Sequence, residues 1–196
     1  MYAQHSAPPH SVAVRSEQAL VAIVYANEAY PQATFEQIVG DCRRRGLKVA
    51  GVLQHPVCSE TSGHCDVVLE ELTTGLRTDL FEDRGPGASG CRLDEAALAQ
   101  VNGQVTRSLD AVPEILILNK FGKVEAEGRG LLDLVALAVD RGIPVVIGVP
   151  FRNLESWRRF TGGMSVEFSS DPSEITGWLD RTFPVAPAQS PEPAAC

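Results

Sequence analysis

The chain has 196 residues, 44% of them hydrophobic, which suits one globular domain with a well-buried core. The formal net charge is −8 and no long basic face with interleaved aromatic residues occurs, so the composition argues against nucleic-acid binding. The five cysteines are scattered, no apolar run approaches the roughly 18 residues of a membrane span, and no secretory pattern opens the chain, so we expect a cytoplasmic protein with reduced thiols and no membrane contact.

Both ends of the chain are rich in proline and poor in large apolar residues. We expect residues 1–17 and 184–196 to be disordered tails, the second rich in proline and alanine. Residues 18–183 between them are expected to form a single domain.

The first predicted elements alternate between strand and helix. Residues 20–26 are all apolar and predict a strand that is buried on both faces. A helix follows, in which Thr34 and Gln37 form a capping-box pattern, and Gly46 ends it. Residues 48–53 predict the second strand.

The middle of the chain changes character. Residues 66–72 and 76–81 are short strand-like runs on either side of a Thr-Thr-Gly turn, and they predict an inserted β-hairpin. A glycine-rich loop at residues 85–90 then leads to a helix that Asp94 caps.

The last part of the chain returns to the alternation. The predicted elements are a strand at 115–118, a helix at 131–139, a strand at 144–149, an amphipathic segment around Trp157, a strand at 165–168 and a helix at 172–181. This order predicts an α/β fold of three layers, in which a mostly parallel sheet carries helices on both faces and has a β-hairpin inserted.

A charged segment follows the apolar run at residues 115–118. Asn119, Lys120, Lys123 and Arg129 occur there, although the whole chain is acidic. Ligand sites of α/β proteins lie just beyond the carboxyl ends of parallel strands, and a cationic edge favours a small anion. The ligand site is therefore expected at this segment.

The loop after the first strand is where a nucleotide-binding protein of this type carries its phosphate loop, G-x-x-x-x-G-K-[ST]. Residues 26–34 contain neither the glycines nor the lysine, and Pro31 removes one backbone donor. The loop is interpreted as an ordinary connection between strand and helix. Asn27, Gln32 and Thr34 are the side chains left there to contact a nucleotide.

Several local patterns together resemble the thermophilic nucleoside-triphosphatase family of P-loop proteins. They are Lys-Val-Ala-Gly at 48–51, Leu-Thr-Thr-Gly at 72–75, and the strand at 115–118 followed by Phe-Gly-Lys-Val-Glu at 121–125. The resemblance covers about residues 18–160 and implies a P-loop-NTPase-like fold.

Three further segments more closely resemble an uncharacterised bacterial family, a domain family of unknown function. They are GCRLDEAAL at 90–98, NKFGKVEAEGRG at 119–130 and WRRFTGG at 157–163. That family is usually encoded beside molybdate-uptake genes, so the resemblance implies a part in molybdenum homeostasis.

In the triphosphatases, the strand similar to 115–118 ends in an Asp-Glu pair that holds magnesium and polarises water. Asn119 and Lys120 take these places here. An amide is a poor ligand for a hard cation, and a lysine cannot act as the same general base. The comparison therefore predicts no magnesium cofactor and no significant hydrolysis.

A cationic donor set is predicted in place of the metal site. Charge-assisted donors and the amides of the glycine-rich loop would together bind a tetrahedral oxyanion such as molybdate, tungstate, phosphate or sulfate. The alternative is a solvated turn in which Lys120 pairs with Glu125, and Lys123 with Glu127. The predicted anion-binding residues are Ser89, Gly90, Cys91, Arg92, Asn119, Lys120, Lys123 and Arg129.

Histidines and cysteines at His55, Cys58, His64, Cys65 and Cys91 raise a metal hypothesis. Their spacing lacks the short pairs of a structural zinc site, so free thiols in a loop and buried packing are the default interpretation. Cys65 and Cys91 belong to the family-like segments, and thiols in a shared pocket would suit a molybdenum species better than phosphate.

Two classes of function remain open. The first is a non-hydrolysing binding protein for a molybdate-type or tungstate-type anion, or for a nucleotide phosphate, acting as carrier, store or sensor. The second is an enzyme, a nucleoside triphosphatase or another nucleotide-dependent phosphotransfer enzyme with a degenerate phosphate loop. The missing lysine and acid pair favour the first. A scaffold that binds another protein through the hairpin is a third class, and an available edge strand leaves a homo-oligomer open.

Overall fold

A computed structural model describes residues 19–27, 29–58, 65–82 and 92–184 of the protein. The two predicted tails lie outside the described residues, except for residue 184, so the predicted domain limits stay a prediction.

Strands and helices alternate along most of the described chain. The strands are β1 (Leu20–Tyr25), β2 (Val49–Cys58), β3 (Cys65–Glu71), β4 (Arg77–Asp79), β5 (Phe81–Glu82), β6 (Arg92–Leu93), β7 (Ile115–Leu118), β8 (Val145–Pro150) and β9 (Val166–Phe168). The helices are α1 (Gln32–Arg44), α2 (Glu95–Asp110), α3 (Lys123–Ala126), α4 (Leu132–Asp140), α5 (Leu154–Thr161) and α6 (Pro172–Thr182), with a 3-10 turn at Phe151–Asn153 before α5.

One seven-stranded sheet organises the molecule, in the order β4-β3-β2-β7-β8-β1-β9. Five neighbouring strands, β2, β7, β8, β1 and β9, run parallel to one another. β3 and β4 are antiparallel to their neighbours. Because β8 lies between β1 and β7, the ends of these three strands come together at one edge of the sheet. The predicted α/β class, with a mostly parallel sheet and helices, is confirmed.

The predicted hairpin forms the antiparallel end of the main sheet. β3 pairs along β2 from Val52↔Glu71 to Cys58↔Cys65, and β4 adds to β3. β2 therefore runs well beyond residue 53, where the sequence predicted its end. The prediction stopped early because Gln54 and His55 interrupt the apolar run, although the part of β2 that pairs only with the antiparallel β3 tolerates polar side chains.

Two apolar clusters, one on each face, hold the sheet between its helices. Leu116 and Leu118 of β7 belong to the cluster that includes residues of α2, α4 and α5, whereas Ile115 and Ile117 belong to the cluster with residues of α1 and α6. All four side chains are fully buried. This two-sided burial explains why the run is apolar without alternation.

The N-termini of α1 and α2 show whether the two predicted helix caps form. Asp94 caps α2 as predicted, since its Oδ1 accepts hydrogen bonds from the amides of Ala96 at 2.9 Å and Ala97 at 3.0 Å. The predicted capping box at Thr34 is wrong: α1 begins earlier, after Pro31, and no side chain caps it. The buried Thr34 hydroxyl instead donates to the carbonyl of Ser170 at 3.0 Å, a tertiary contact that local sequence does not reveal.

In the described part of the chain, no helix has the length and apolar character needed to cross a bilayer.

Candidate functional site

The carboxyl ends of β1, β7 and β8 bring polar side chains from three loops together. The Oδ1 atom of Asn27, after β1, accepts a hydrogen bond from the amide of Arg152 at 2.7 Å. Asn153, after β8, donates through Nδ2 to the carbonyl of Phe121 at 2.8 Å. The structure thus places the loops after β1, β8 and β7 side by side, in the position expected for a ligand site.

Asn119 lies at the end of β7 and is buried. Its Nδ2 donates to Oε1 of Gln54 on β2 at 3.0 Å, so the amide group is held by another amide. Its backbone carbonyl lies over Gly148 of β8, where an added Cβ would come within 2.4 Å of it. The turn is fixed on the same strand by the Phe121 amide, which donates to the Gly148 carbonyl at 2.7 Å.

Lys120 is exposed next to this fixed turn, and its side chain lies alongside Gly122. The alternative partner considered for it, Glu125, is buried and accepts hydrogen bonds from the amides of Gly122 at 2.9 Å and Leu131 at 3.2 Å. Glu125 therefore fixes the loop around α3. Among the described residues no carboxylate forms an ion pair with Lys120, so none of them neutralises its charge.

Lys123 and Arg129 both have a carboxylate neighbour. The Lys123 side chain is 90% exposed, and its Nζ lies 3.9 Å from Oε1 of Glu127, the pairing that the sequence left open. Arg129 donates to Oε2 of Glu127 at 2.8 Å and lies 3.7 Å from Oε1 of Glu95 on α2. The hydrogen bond that Arg129 donates to Glu127 raises the pKa of Arg129. An anion must compete with Glu127 for these two cations.

The remaining predicted anion-binding residues are described in part or not at all. Ser89, Gly90 and Cys91 lie outside the described residues. Arg92 begins β6, and its backbone pairs with Glu82 of β5. Their part in a site stays a prediction.

The structure describes only some of the residues in the metal hypothesis. Cys58 and Cys65 occupy opposite positions in the β2 and β3 ladder rather than a loop, whereas His64 and Cys91 lie outside the described residues. Within the four described segments, no three His, Cys, Asp or Glu side chains are grouped as they would be to hold a metal ion.

Aromatic side chains fill the loop between β1 and α1. The Tyr30 ring stacks on Phe35 with centroids 5.4 Å apart and meets Tyr25 edge-on at 5.7 Å. Burial raises the pKa of Tyr25 to about 12 and that of Tyr30 well above its usual value. Two loop amides are used internally, since Ala29 donates to Ala26 and Gln32 donates to Tyr30, each at 2.9 Å.

The predicted nucleotide-contacting side chains are each engaged with the protein. Asn27 accepts from Arg152, the Thr34 hydroxyl donates to Ser170, and Gln32 donates through Nε2 to Oε1 of Glu36 at 2.7 Å. A nucleotide at this loop would have to displace these contacts or use backbone groups.

A group near this edge was not predicted as part of the anion site. Nε2 of His55 lies 2.9 Å from Oε2 of Glu70, and its Nδ1 lies 3.9 Å from Oε1 of Glu36 on α1. Arg77 donates to the same Glu70 oxygen at 3.2 Å. Gln54, which holds Asn119, was missed for the same reason: both Gln54 and His55 follow the predicted end of β2. Residues 54–58, Gln-His-Pro-Val-Cys, do not alternate between polar and apolar, so the local pattern does not predict that the strand continues.

Comparisons with known proteins agree with the fold. A human cancer-related nucleoside triphosphatase superposes with a TM-score of 0.60 at 15% identity, covering 83% of this chain and 98% of that one. THEP1 from the hyperthermophile Aquifex aeolicus gives a TM-score of 0.55 at 16% identity, covering 82% and 95%. At these identities the likeness establishes a shared fold.

Sequence comparison finds a relative in a molybdenum import protein. The molybdenum import ATP-binding protein ModC 2 of Bradyrhizobium diazoefficiens is 32% identical over 161 residues, which make up 81% of this chain. The matched segment is only 18% of that relative's length. A family of proteins of unknown function, DUF2478, matches residues 20–178. The chain therefore belongs to the DUF2478 family, and it has the fold of P-loop nucleoside triphosphatases.

Proposed function

We propose that the protein binds a small oxyanion at the carboxyl edge of its sheet without hydrolysing a nucleotide, and that it serves molybdenum homeostasis as a carrier, store or sensor. The oxyanion is of the molybdate or tungstate type, or is a nucleotide phosphate. The observation that carries the proposal is the end of β7, where the amide of Asn119 is held by Gln54 and the exposed Lys120 forms no ion pair with any carboxylate that the structure describes.

The chemistry of this strand end favours an anion over a cation. A magnesium ion prefers carboxylate oxygens, whereas Asn119 offers an amide whose Nδ2 is already donating to Gln54. Lys120 supplies a charged donor beside it, and an oxyanion accepts such hydrogen bonds. The next carboxylate along the chain, Glu125, is buried and accepts hydrogen bonds from backbone amides.

The molybdenum assignment draws on the relative. A segment similar to this chain forms part of a protein named for molybdenum import. Since that segment is a minor share of the relative, the import activity itself does not transfer. The proposal takes from it the class of anion and the connection with molybdenum.

Titration calorimetry tests the ligand. Molybdate and tungstate are expected to bind with dissociation constants of about 10 μM or tighter, and sulfate, phosphate and ATP show whether the site selects among oxyanions. The absence of micromolar binding for all five compounds would remove the proposal.

Two lysine substitutions test the location. Lys120→Ala is expected to weaken oxyanion binding about tenfold or more, and Lys123→Ala less, because Lys123 is already near Glu127. Both should change the free energy of unfolding by less than about 1 kcal/mol, since exposed charges contribute little to stability. Arg141→Ala, which removes an exposed ion pair with Asp110, is the matched control and should leave binding unchanged.

The second candidate is a nucleoside triphosphatase with a degenerate phosphate loop. His55 and Glu70 favour it, because an imidazole 2.9 Å from a carboxylate is an arrangement that general acid–base catalysis uses. Magnesium-dependent release of phosphate from ATP or GTP separates the two candidates. We expect no significant release; turnover of about 1 per second or more, lost in Glu70→Gln, would establish the second candidate instead.

A further inference from the structure

A pocket of about 300 Å³ lies at the opposite edge of the sheet from the candidate oxyanion site. It opens where β2 begins at Val49 and where the chain approaches β7 at Pro113. Leu47 and Leu72 provide further apolar walls. Its volume is at the lower end of the range for small-molecule sites.

The pocket walls are tied to one another by hydrogen bonds. Thr73 donates through its hydroxyl to the carbonyl of Val49 at 3.3 Å, and the amide of Lys48 donates to Oε2 of Glu114 at 2.8 Å. The buried carboxylate of Glu71 accepts from the amides of Thr73 and Thr74 at 3.2 and 2.8 Å. The pocket is thus formed before any ligand arrives, which lowers the entropy cost of binding.

Two cations line this pocket, whose other lining residues are apolar apart from Thr73. Arg43 donates through Nη2 to the neutral carbonyl of Leu72 at 3.0 Å, which fixes its guanidinium while leaving its charge unbalanced. Lys48 is exposed at the same pocket. Within the described segments neither side chain forms an ion pair with a carboxylate, although the protein carries a net charge of −8.

One wall carries an unusual backbone. Val112 lies between the pocket residues Ala111 and Pro113 and has a φ of 49°. A β-branched residue rarely adopts the left-handed region, and such strained residues cluster at ligand sites. The Val112 side chain is also 70% exposed, so burial of an apolar group does not account for this conformation.

The geometry points to a second ligand site that binds a small organic acid with one carboxylate and a compact apolar body. The carboxylate is placed at Arg43 and Lys48, where it neutralises the two cations, and the body contacts Leu47, Val49 and Leu72. This site is independent of the proposed oxyanion function, since β2 and β7 lie between the two edges.

Benzoate and benzamide form a matched pair of probes, because they share a ring and differ in charge. In a ¹⁵N NMR titration of the full chain, benzoate should shift the amide resonances of Leu47, Val49 and Thr73 saturably, with a dissociation constant of about 1 mM or tighter. Benzamide should bind at least about tenfold more weakly than benzoate. Equal binding of the two probes, or no saturable shift with benzoate up to about 20 mM, would overturn the inference.

Substitutions locate the charge. Lys48→Gln is expected to weaken benzoate binding several-fold, and the double variant with Arg43→Gln about tenfold or more. Because Arg43 also holds the Leu72 carbonyl, the single Lys48 variant tests the site if the double variant fails to fold. Arg44→Gln, one residue along α1 and paired with Asp41 outside the pocket, is the control and should bind benzoate normally. Undiminished binding to Lys48→Gln, or shifts centred on Asn119, would contradict the assignment.

Discussion

Gly51 is the residue at which β2 changes partners. It is the last residue of β2 to pair with β7, opposite Ile117, and pairing with β3 continues from Val52 onward. Its φ is +124°, and an added Cβ would come within 1.8 Å of the Ile117 carbonyl oxygen. The close approach of the two strands therefore requires glycine at this position.

Gly51→Ala should destabilise the protein by about 3 kcal/mol or more, because backbone strain and a main-chain clash act together. Gly46→Ala is the matched control: its φ is +74°, but no atom lies within 4 Å of the added Cβ. This control should cost only about 1 kcal/mol. Urea unfolding of both variants measures the difference in the free energy of unfolding. Equal losses of stability would show that the backbone at Ile117 can move away from the added Cβ without a large energetic penalty.

Glu71 is a buried carboxylate that joins a turn to a helix. Its oxygens accept hydrogen bonds from Thr74 and from the Ser108 hydroxyl on α2 at 2.9 Å. Burial acts to raise the pKa of Glu71, but the hydrogen bonds from Thr74, Ser108 and Thr73 together lower it below its ordinary value of 4.5. The ionised form is therefore the one that the fold stabilises.

A lowered folded-state pKa fixes the sign of the pH dependence. The stabilisation by Glu71 is present above the unfolded-state pKa of about 4.5 and is lost as the pH falls through the lower folded-state pKa. Glu71→Gln should cost about 2 kcal/mol at pH 7, and its deficit relative to the natural protein should shrink below pH 4.5. Denaturant unfolding across this pH range measures it; a deficit that stays constant would exclude the ionised carboxylate as the cause. Glu95→Gln, an exposed carboxylate on α2, is the control.

At the scale of elements, α2 offers a clean test of a cap. Asp94→Ala removes the acceptor for the Ala96 and Ala97 amides and should destabilise the protein by about 1 kcal/mol. Glu95→Ala, in the same first turn but without a capping bond, should change stability by less than about 0.5 kcal/mol. Thermal unfolding compares the two, and equal effects would assign the loss to charge rather than to the cap.

Sequence patterns predicted the buried strands and helices but not the contacts between residues that are far apart in the chain. The run at β7 could be assigned because both of its faces are apolar, and Asp94 because its cap bonds are local. The start of α1 could not, because Thr34 bonds to Ser170 far along the chain. In the same way, the sequence shows the polar and charged residues of 119–130 but not their distant partners: Arg129 lies near Glu95 of α2, and Asn119 donates to Gln54 of β2. Local sequence shows which groups exist, whereas the fold decides which of them remain available.

At the scale of the whole molecule, the predicted domain limits lead to a test by truncation. A fragment of residues 18–183 should unfold within about 3 °C of the full chain, because the proline-rich ends carry little apolar surface to bury. A fragment that begins at residue 27 lacks β1, whose strand lies between β8 and β9, and should not fold. Calorimetry of both measures this; a large loss in the first fragment would show that the ends contribute to the domain.

Gly148 gives the candidate edge a property that is separate from its charge. The carbonyl of Asn119 and the ring of Phe35 both press on the place where a side chain would begin, at 2.4 and 3.2 Å. A methyl group there would lift the turn that carries Lys120 while leaving every titratable group in place. Because Gly148 has no Cβ, the turn that carries Lys120 can lie directly against β8. The absence of a side chain at this position therefore sets how close the cationic turn lies to the sheet.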